Sequence, residues 1–248
     1  NSVIGARTNR ESGISALASA ICGVTPNYGL HIKENRKPDI LIEVDTDLKD
    51  ISDFGILGYV LGKMIKNRIP YIRGVKSANV DQLKALGAAM AATGSIALYH
   101  IEGITPEADD FDIRGLERLK LDERDVREVR ERFSKEEIDA VMIGCPHASL
   151  NEIKEISEVV KGKKLEKTLW IFTSRFTKEL SYELGYGKII EESGGKIVSD
   201  TCMVVSPIES MGFRVIGVNS GKAANYLPTL CKCKVVLGSI KELIEMIT

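Results

Sequence analysis

Short apolar runs rich in β-branched residues recur along this chain between longer stretches with helical spacing, and this alternation constrains the fold more than any other feature. The runs fall at 40–44, 71–72, 96–99, 141–143, 169–172, 196–198, 215–218 and 235–237. Helical patterns fit between them at about 12–21, 53–66, 80–92, 122–133, 150–161, 177–193 and 239–246. Strands that alternate with helices need crossover connections, so the chain is expected to be α/β with largely parallel sheet. Two start signals add to the pattern: Asn79 precedes an apolar-periodic stretch, and Ser134 with Glu137 has capping-box spacing for a short helical turn. The stretch 109–130 is the most charged part and has no extended apolar run, so a domain boundary is expected near 116–121, dividing 1–118 from 119–248.

A chain of 248 residues, 44% hydrophobic and 28% charged, can bury a full core and divide into two domains. With Lys+Arg 34 against Asp+Glu 35 the formal charge is -1, so no global field calls for nucleic acid or an anionic membrane, and local basic groups must carry any anion binding. No apolar run reaches the roughly 18 residues of a membrane span, and no signal-peptide pattern opens the chain. A cytoplasmic location is expected. The chain starts at Asn1 without Met and runs straight into structured-looking sequence, which reads as a fragment of something longer.

The chemistry is expected at two cysteines. Cys145 follows the run 141–143 and precedes a helix starting near Ser149, and Cys202 follows 196–198. The carboxyl ends of strands are where an open α/β sheet presents its reactive groups. A thiolate at Cys145 would also lie near the positive end of the next helix, which suits a metal ligand or a nucleophile. The five cysteines are an odd number in a chain too large to need staples, so free thiols or ligands are expected instead of disulfides. Cys22 is expected to pack in the core on the apolar side of its helix. Cys231 and Cys233 form a spaced pair without evident further ligands, and a structural role is favoured for them.

Two segments offer anion binding. Arg7, Thr8, Asn9 and Arg10 lie in a Gly-bracketed stretch just before a helix, and guanidinium forks suit carboxylate or phosphate. Lys222 opens a helix after the strand 215–218, although Ile216 and Ala223 break the Walker pattern, which argues against nucleotide hydrolysis. Of three histidines, His147 lies two residues from Cys145, and no Gly-x-Ser-x-Gly elbow supports a serine hydrolase.

Four strings, Asn1 to Glu11, Thr25 to Gly29, Gly144 to Ser149 and Ser199 to Cys202, resemble the aconitase X family, an iron–sulfur branch of the aconitase superfamily. The resemblance spans nearly the whole chain. It implies an aconitase-like three-layer α/β/α fold with an N-terminally incomplete first subdomain at 1–118 and a Rossmann-like second one at 119–248. It further implies a hydro-lyase whose iron–sulfur cluster, 4Fe-4S in preference to 2Fe-2S, is held by three cysteines. Cys145 and Cys202 match two of these, and the third lies upstream of residue 1, so the fragment is expected to be cluster-free and inactive unless Cys231 or Cys233 substitutes. Arg7, Thr8, Asn9, Arg10 and Lys222 would grip an anionic small-molecule substrate, and His147 would serve as the acid or orient water. A small swivelling subunit would supply a serine base. The absence of a swivel domain after Thr248 favours the two-subunit archaeal type that dehydrates mevalonate 5-phosphate; cis-3-hydroxy-L-proline or another hydroxy acid is the alternative substrate. Rival readings are a non-catalytic metabolite-binding α/β module and a cysteine-nucleophile transferase using Cys145 with His147.

Overall fold

The computed structural model describes residues 1–133 and 136–248. The β-branched runs pair into two sheets in which, among the described residues, the strand pairings are parallel. The first contains β1 (Ile40–Asp45), β2 (Pro70–Arg73), β3 (His100–Ile101) and β4 (Glu117–Asp122) in the order β3-β2-β1-β4. The second contains β5 (Ala140–Ile143), β6 (Thr168–Thr173), β7 (Lys196–Ser199), β8 (Val215–Val218) and β9 (Lys234–Leu237) in the order β7-β6-β5-β8-β9. The helices are α1 (Gly13–Cys22), α2 (Ile51–Ile65), α3 (Val80–Gly94), α4 (Glu123–Arg132), α5 (Leu150–Val160), α6 (Arg175–Glu183), α7 (Tyr186–Ser193), α8 (Gly221–Leu230) and α9 (Ile240–Glu245).

Alternation along the strands sends successive side chains to different cores. In β5, Ala140 and Met142 face a large core shared by both halves, whereas Val141 and Ile143 face a second core built with α5, α7 and α9. The shared core also takes Ile40, Ile42 and Ile72 from the first sheet and Phe54, Leu86, Ala224 and Leu227 from α2, α3 and α8. The second sheet is therefore the middle layer of the expected α/β/α sandwich. Close approach of α2 to α8 depends on glycine, because a Cβ on Gly221 would stand 2.2 Å from the Gly55 carbonyl oxygen.

Several expectations shift. The run 96–99 is not a strand; pairing with β2 begins at His100. The long helical pattern 177–193 breaks in two at Gly185, whose φ of 86° caps α7 from the left-handed region. The charged stretch is no linker: β4 runs across 118–119 and pairs with β1 from Glu117 to Asp122, so the passage between sheets comes after α4. Its exposed charges are those of an edge strand, which blunt unwanted pairing. Asn79 caps α3 in a capping box with Gln82 as expected. The box expected at Ser134 lies outside the described residues. Cys22 is exposed, because α1 buries no residue at all.

Candidate active site

The strand order of the second sheet decides where chemistry gathers. From β5 the chain winds outward through β6 and β7, then returns to add β8 and β9 on the other side. A crevice opens at such a reversal, beyond the carboxyl ends of β5 and β8. Cys145 follows β5, Ser220 and Lys222 follow β8, and Cys202 follows β7.

Gly144 turns the chain out of β5 with φ of 114°, and a Cβ there would stand 2.1 Å from the Phe172 carbonyl oxygen. Only glycine fits this turn. The next peptide, Cys145–Pro146, is cis. Three side chains from three elements then hold the loop's carbonyls. The Ser220 hydroxyl donates to that of Cys145, the Thr173 hydroxyl to that of Ala148 at 2.7 Å, and Lys84 Nζ to that of His147 at 3.2 Å. Ser149 and Glu152 close the loop with a reciprocal capping box on α5.

Cys145 and Cys202 come together, close enough for their thiol groups to interact. That interaction lowers the Cys202 pKa to about 5, aided by the backbone N–H groups of Val204 and Val205 and the nearby Lys222 ammonium. The same interaction, together with burial, pushes the Cys145 thiol up. The pair lies in the field of the Lys222 ammonium. His147 Nε2 donates to the Thr201 carbonyl at 2.9 Å, since a carbonyl only accepts. In the neutral ring this leaves Nδ1 as the acceptor. Asp200, its pKa lowered by the Arg175 backbone N–H and side chain, lies within the field of His147.

Thiolates are the protein ligands of iron–sulfur clusters, so the paired donor set fits two ligand positions of such a group. Among the described residues no three His, Cys, Asp or Glu side chains converge into a metal-holding group. Cys231 and Cys233 are buried and donate to backbone carbonyls, Cys231 to Val204 at 3.4 Å and Cys233 to Phe213 at 3.4 Å.

The arginine segment lies on the first half. Thr8 N–H donates to Asn1 Oδ1 at 3.0 Å, while Asn9 accepts from Leu30 N–H at 2.8 Å and donates to the Tyr28 carbonyl at 3.1 Å. The Thr8 and Asn9 bonds thus fold the segment on itself. Arg7 is exposed and lies in the field of Glu107. Arg10 has no hydrogen bond or ion pair among the described residues and lines a cavity of about 250 Å³ together with Lys84. The structure therefore brings Cys145, Cys202, His147 and Lys222 together, with Arg10 approaching from the Lys84 side. Sequence reasoning missed Lys84 and Ser220; Ser220 had a signal, as an N-cap serine directly after a strand, whereas Lys84 sits unmarked within a helical pattern.

Sequence profiles of the aconitase X first, second and third domains match residues 1–34, 38–131 and 138–248. The phosphomevalonate dehydratase large subunit of Methanocaldococcus jannaschii is 49% identical, over 99% of this chain and 64% of that protein. The cis-3-hydroxy-L-proline dehydratase of Pseudomonas aeruginosa is 35% identical, over 93% of this chain and 42% of that protein. The crystal structure of Thermococcus kodakaraensis aconitase X in its holo-form matches with a TM-score of 0.95 and 47% identity, over 100% of this chain and 65% of that one. The chain spans less than two thirds of these relatives. Three aconitase X domain models match along its length, in order, and its fold follows that of a solved member, so the chain belongs to the aconitase X family.

Proposed function

We propose that this chain is the major part of the large subunit of an iron–sulfur hydro-lyase that removes water from mevalonate 5-phosphate. The observation that carries the reading is the meeting of Cys145 and Cys202 beyond the strand ends of one parallel sheet, with the Lys222 ammonium exerting its field on both. Cys145 and Cys202 would hold two positions of the cluster, and further donors complete it. When bound, such a cluster supplies Lewis-acid polarisation of the hydroxyl that leaves.

The chain's own residues supply binding and proton handling. Lys222, in the first turn of α8, adds its ammonium to the positive end of the helix dipole and attracts a carboxylate or phosphate. Arg10, exposed and unpaired, offers a bidentate fork to the other anionic end of the substrate, and Arg7 adds charge to the same segment. His147 is anchored through Nε2 to the Thr201 carbonyl, which leaves Nδ1 free, so that the imidazolium form would pass its Nδ1 proton to the departing hydroxyl, which leaves as water. The base is proposed to be a serine from a small swivelling subunit. The higher identity to a phosphomevalonate enzyme than to a hydroxyproline enzyme favours the phosphorylated substrate.

Anaerobic reconstitution of the complete large subunit with its small partner, followed by iron and sulfide counts and an assay of water loss from mevalonate 5-phosphate, tests this. Iron with turnover supports the reading. Iron without turnover moves the substrate to hydroxyproline or another hydroxy acid, and no iron leaves a metabolite-binding module. Cys145→Ala and Cys202→Ala are each expected to abolish cluster absorbance.

A further inference from the structure

The three carbonyl tethers of the cysteine loop differ in origin. Ser220 and Thr173 belong to the second half, as the loop does, whereas Lys84 comes from α3 in the first half. Lys84 is thus the side chain through which α3 reaches the loop's backbone. Its ammonium is also fixed in place, 2.5 Å from Glu152 Oε2 and 3.1 Å from Asp81 Oδ1. Both carboxylates belong to the same clasp: Glu152 accepts from Ser149 N–H at 3.0 Å, and Asp81 accepts from the Ser149 hydroxyl at 2.9 Å. Asp50, Glu155 and Glu158 surround the clasp with further negative charge. Lys84 pairs with both of these buried carboxylates and so makes them tolerable beside the loop. Along its other side it lines the cavity that Arg10 also lines.

We propose that Lys84 is a positioning residue that sets the cysteine loop, and with it Cys145 and His147, against α3, the helix that also lines the Arg10 cavity. The inference rests on the reading of Cys145 and Cys202 as cluster ligands for its catalytic meaning, and on the tether geometry for its physical content. An ammonium with three donors matches the three acceptors here: two carboxylates and one carbonyl. Arginine can serve the same acceptors with a longer, planar fork, whereas methionine keeps the apolar stem and loses every bond.

The test uses the complete large subunit with its small partner. Hydrogen exchange over 145–152 is measured in cluster-free protein, and iron loss to a chelator is measured in reconstituted protein. In Lys84→Met the amides of 145–152 are expected to exchange at least tenfold faster while β1 and β6 stay within twofold of wild type. Iron is expected to leave at least fivefold faster. Lys84→Arg is expected to restore both. If Lys84→Met does not fold, the triple variant Lys84→Met with Glu152→Gln and Asp81→Asn removes both orphaned charges and is read in the same way. Exchange over 145–152 within twofold of wild type, or a uniform acceleration throughout the molecule, overturns the proposal. Wild-type protein without iron would overturn the cluster reading alone, because the exchange measurement still decides the tether.

Discussion

The loop 144–149 and the segment 7–10 both place candidate site side chains just ahead of a helix, yet they are anchored in different ways. The loop is seated on strand ends, with Cys145 and Ala148 buried and its carbonyls tied to three separate elements. The segment hangs on polar bonds to one buried guanidinium. Arg36 is wholly buried; it pairs with Glu107 and donates to Asn1 Oδ1 at 3.0 Å, the Leu30 carbonyl at 2.9 Å and the Ala6 carbonyl at 3.3 Å. The helix after the segment, α1, adds no burial, leaving Ile14, Leu17 and Ile21 in solvent. The proposed ligands, which would have to stand at one separation, are held by packing and backbone geometry. The proposed substrate-gripping segment is held by a pin.

Removing the pin is the largest perturbation. Arg36→Met leaves Glu107 and two carbonyls without their donor, and breaking a buried pair in this way costs about 3–5 kcal/mol. Denaturant unfolding should show that loss, while proteolysis at low protease concentration should cut first near residues 5–10. A loss below about 1 kcal/mol would show that the segment does not depend on Arg36.

Next comes the backbone of the loop. Gly144→Ala forces a Cβ onto the Phe172 carbonyl and a side chain into the left-handed region, costing about 1–3 kcal/mol from strain alone. The same unfolding assay reads the loss, and cluster absorbance in the complete enzyme should fall with it. Unchanged stability would mean that the loop turns without this strain.

A smaller effect is expected from pH. Burial lowers the pKa of His100 below its ordinary 6.5, and its Nε2 donates to the Arg36 carbonyl. The unfolded chain takes up the proton first, so this stability is present above about pH 6.5 and is lost as pH falls through the lowered folded pKa. His100→Gln should therefore unfold with a flatter pH dependence between pH 7 and 5 than wild type. Parallel curves would remove His100 as the titrating group.

The smallest change tests the bare helix. Leu17→Ser in α1 should leave the stability of this chain within about 0.5 kcal/mol, because the side chain is exposed. A loss of 2 kcal/mol or more by denaturant unfolding would show that α1 is packed in solution.

Much of the architecture was legible because buried parallel strands leave a plain signature. Val141 to Ile143 and Leu169 to Phe172 are continuous apolar runs, since both faces of their sheet are covered. The edge strand β4 was not legible: Glu117, Arg118 and Lys120 are charged and largely exposed, so the pattern of a linker and that of a one-sided edge are the same. Cys22 misled for a related reason, since amphipathic spacing in α1 marks an apolar face without saying whether this chain covers it. At the candidate site, Cys145, Cys202 and Lys222 stood out from their places after strands. That the two thiols meet depends on loops more than 50 residues apart in sequence, and no local pattern encodes that.

The contact of Gly55 with Gly221 also bears on modularity. Two parallel sheets with their own helices look like exchangeable parts, which recombination between family members would be free to shuffle. The shared core and the bare backbone of α2 lying on the start of α8 deny that freedom. A hybrid that took its halves from different parents would have to inherit a glycine-sized gap on both sides at once, so these halves are bound to vary together.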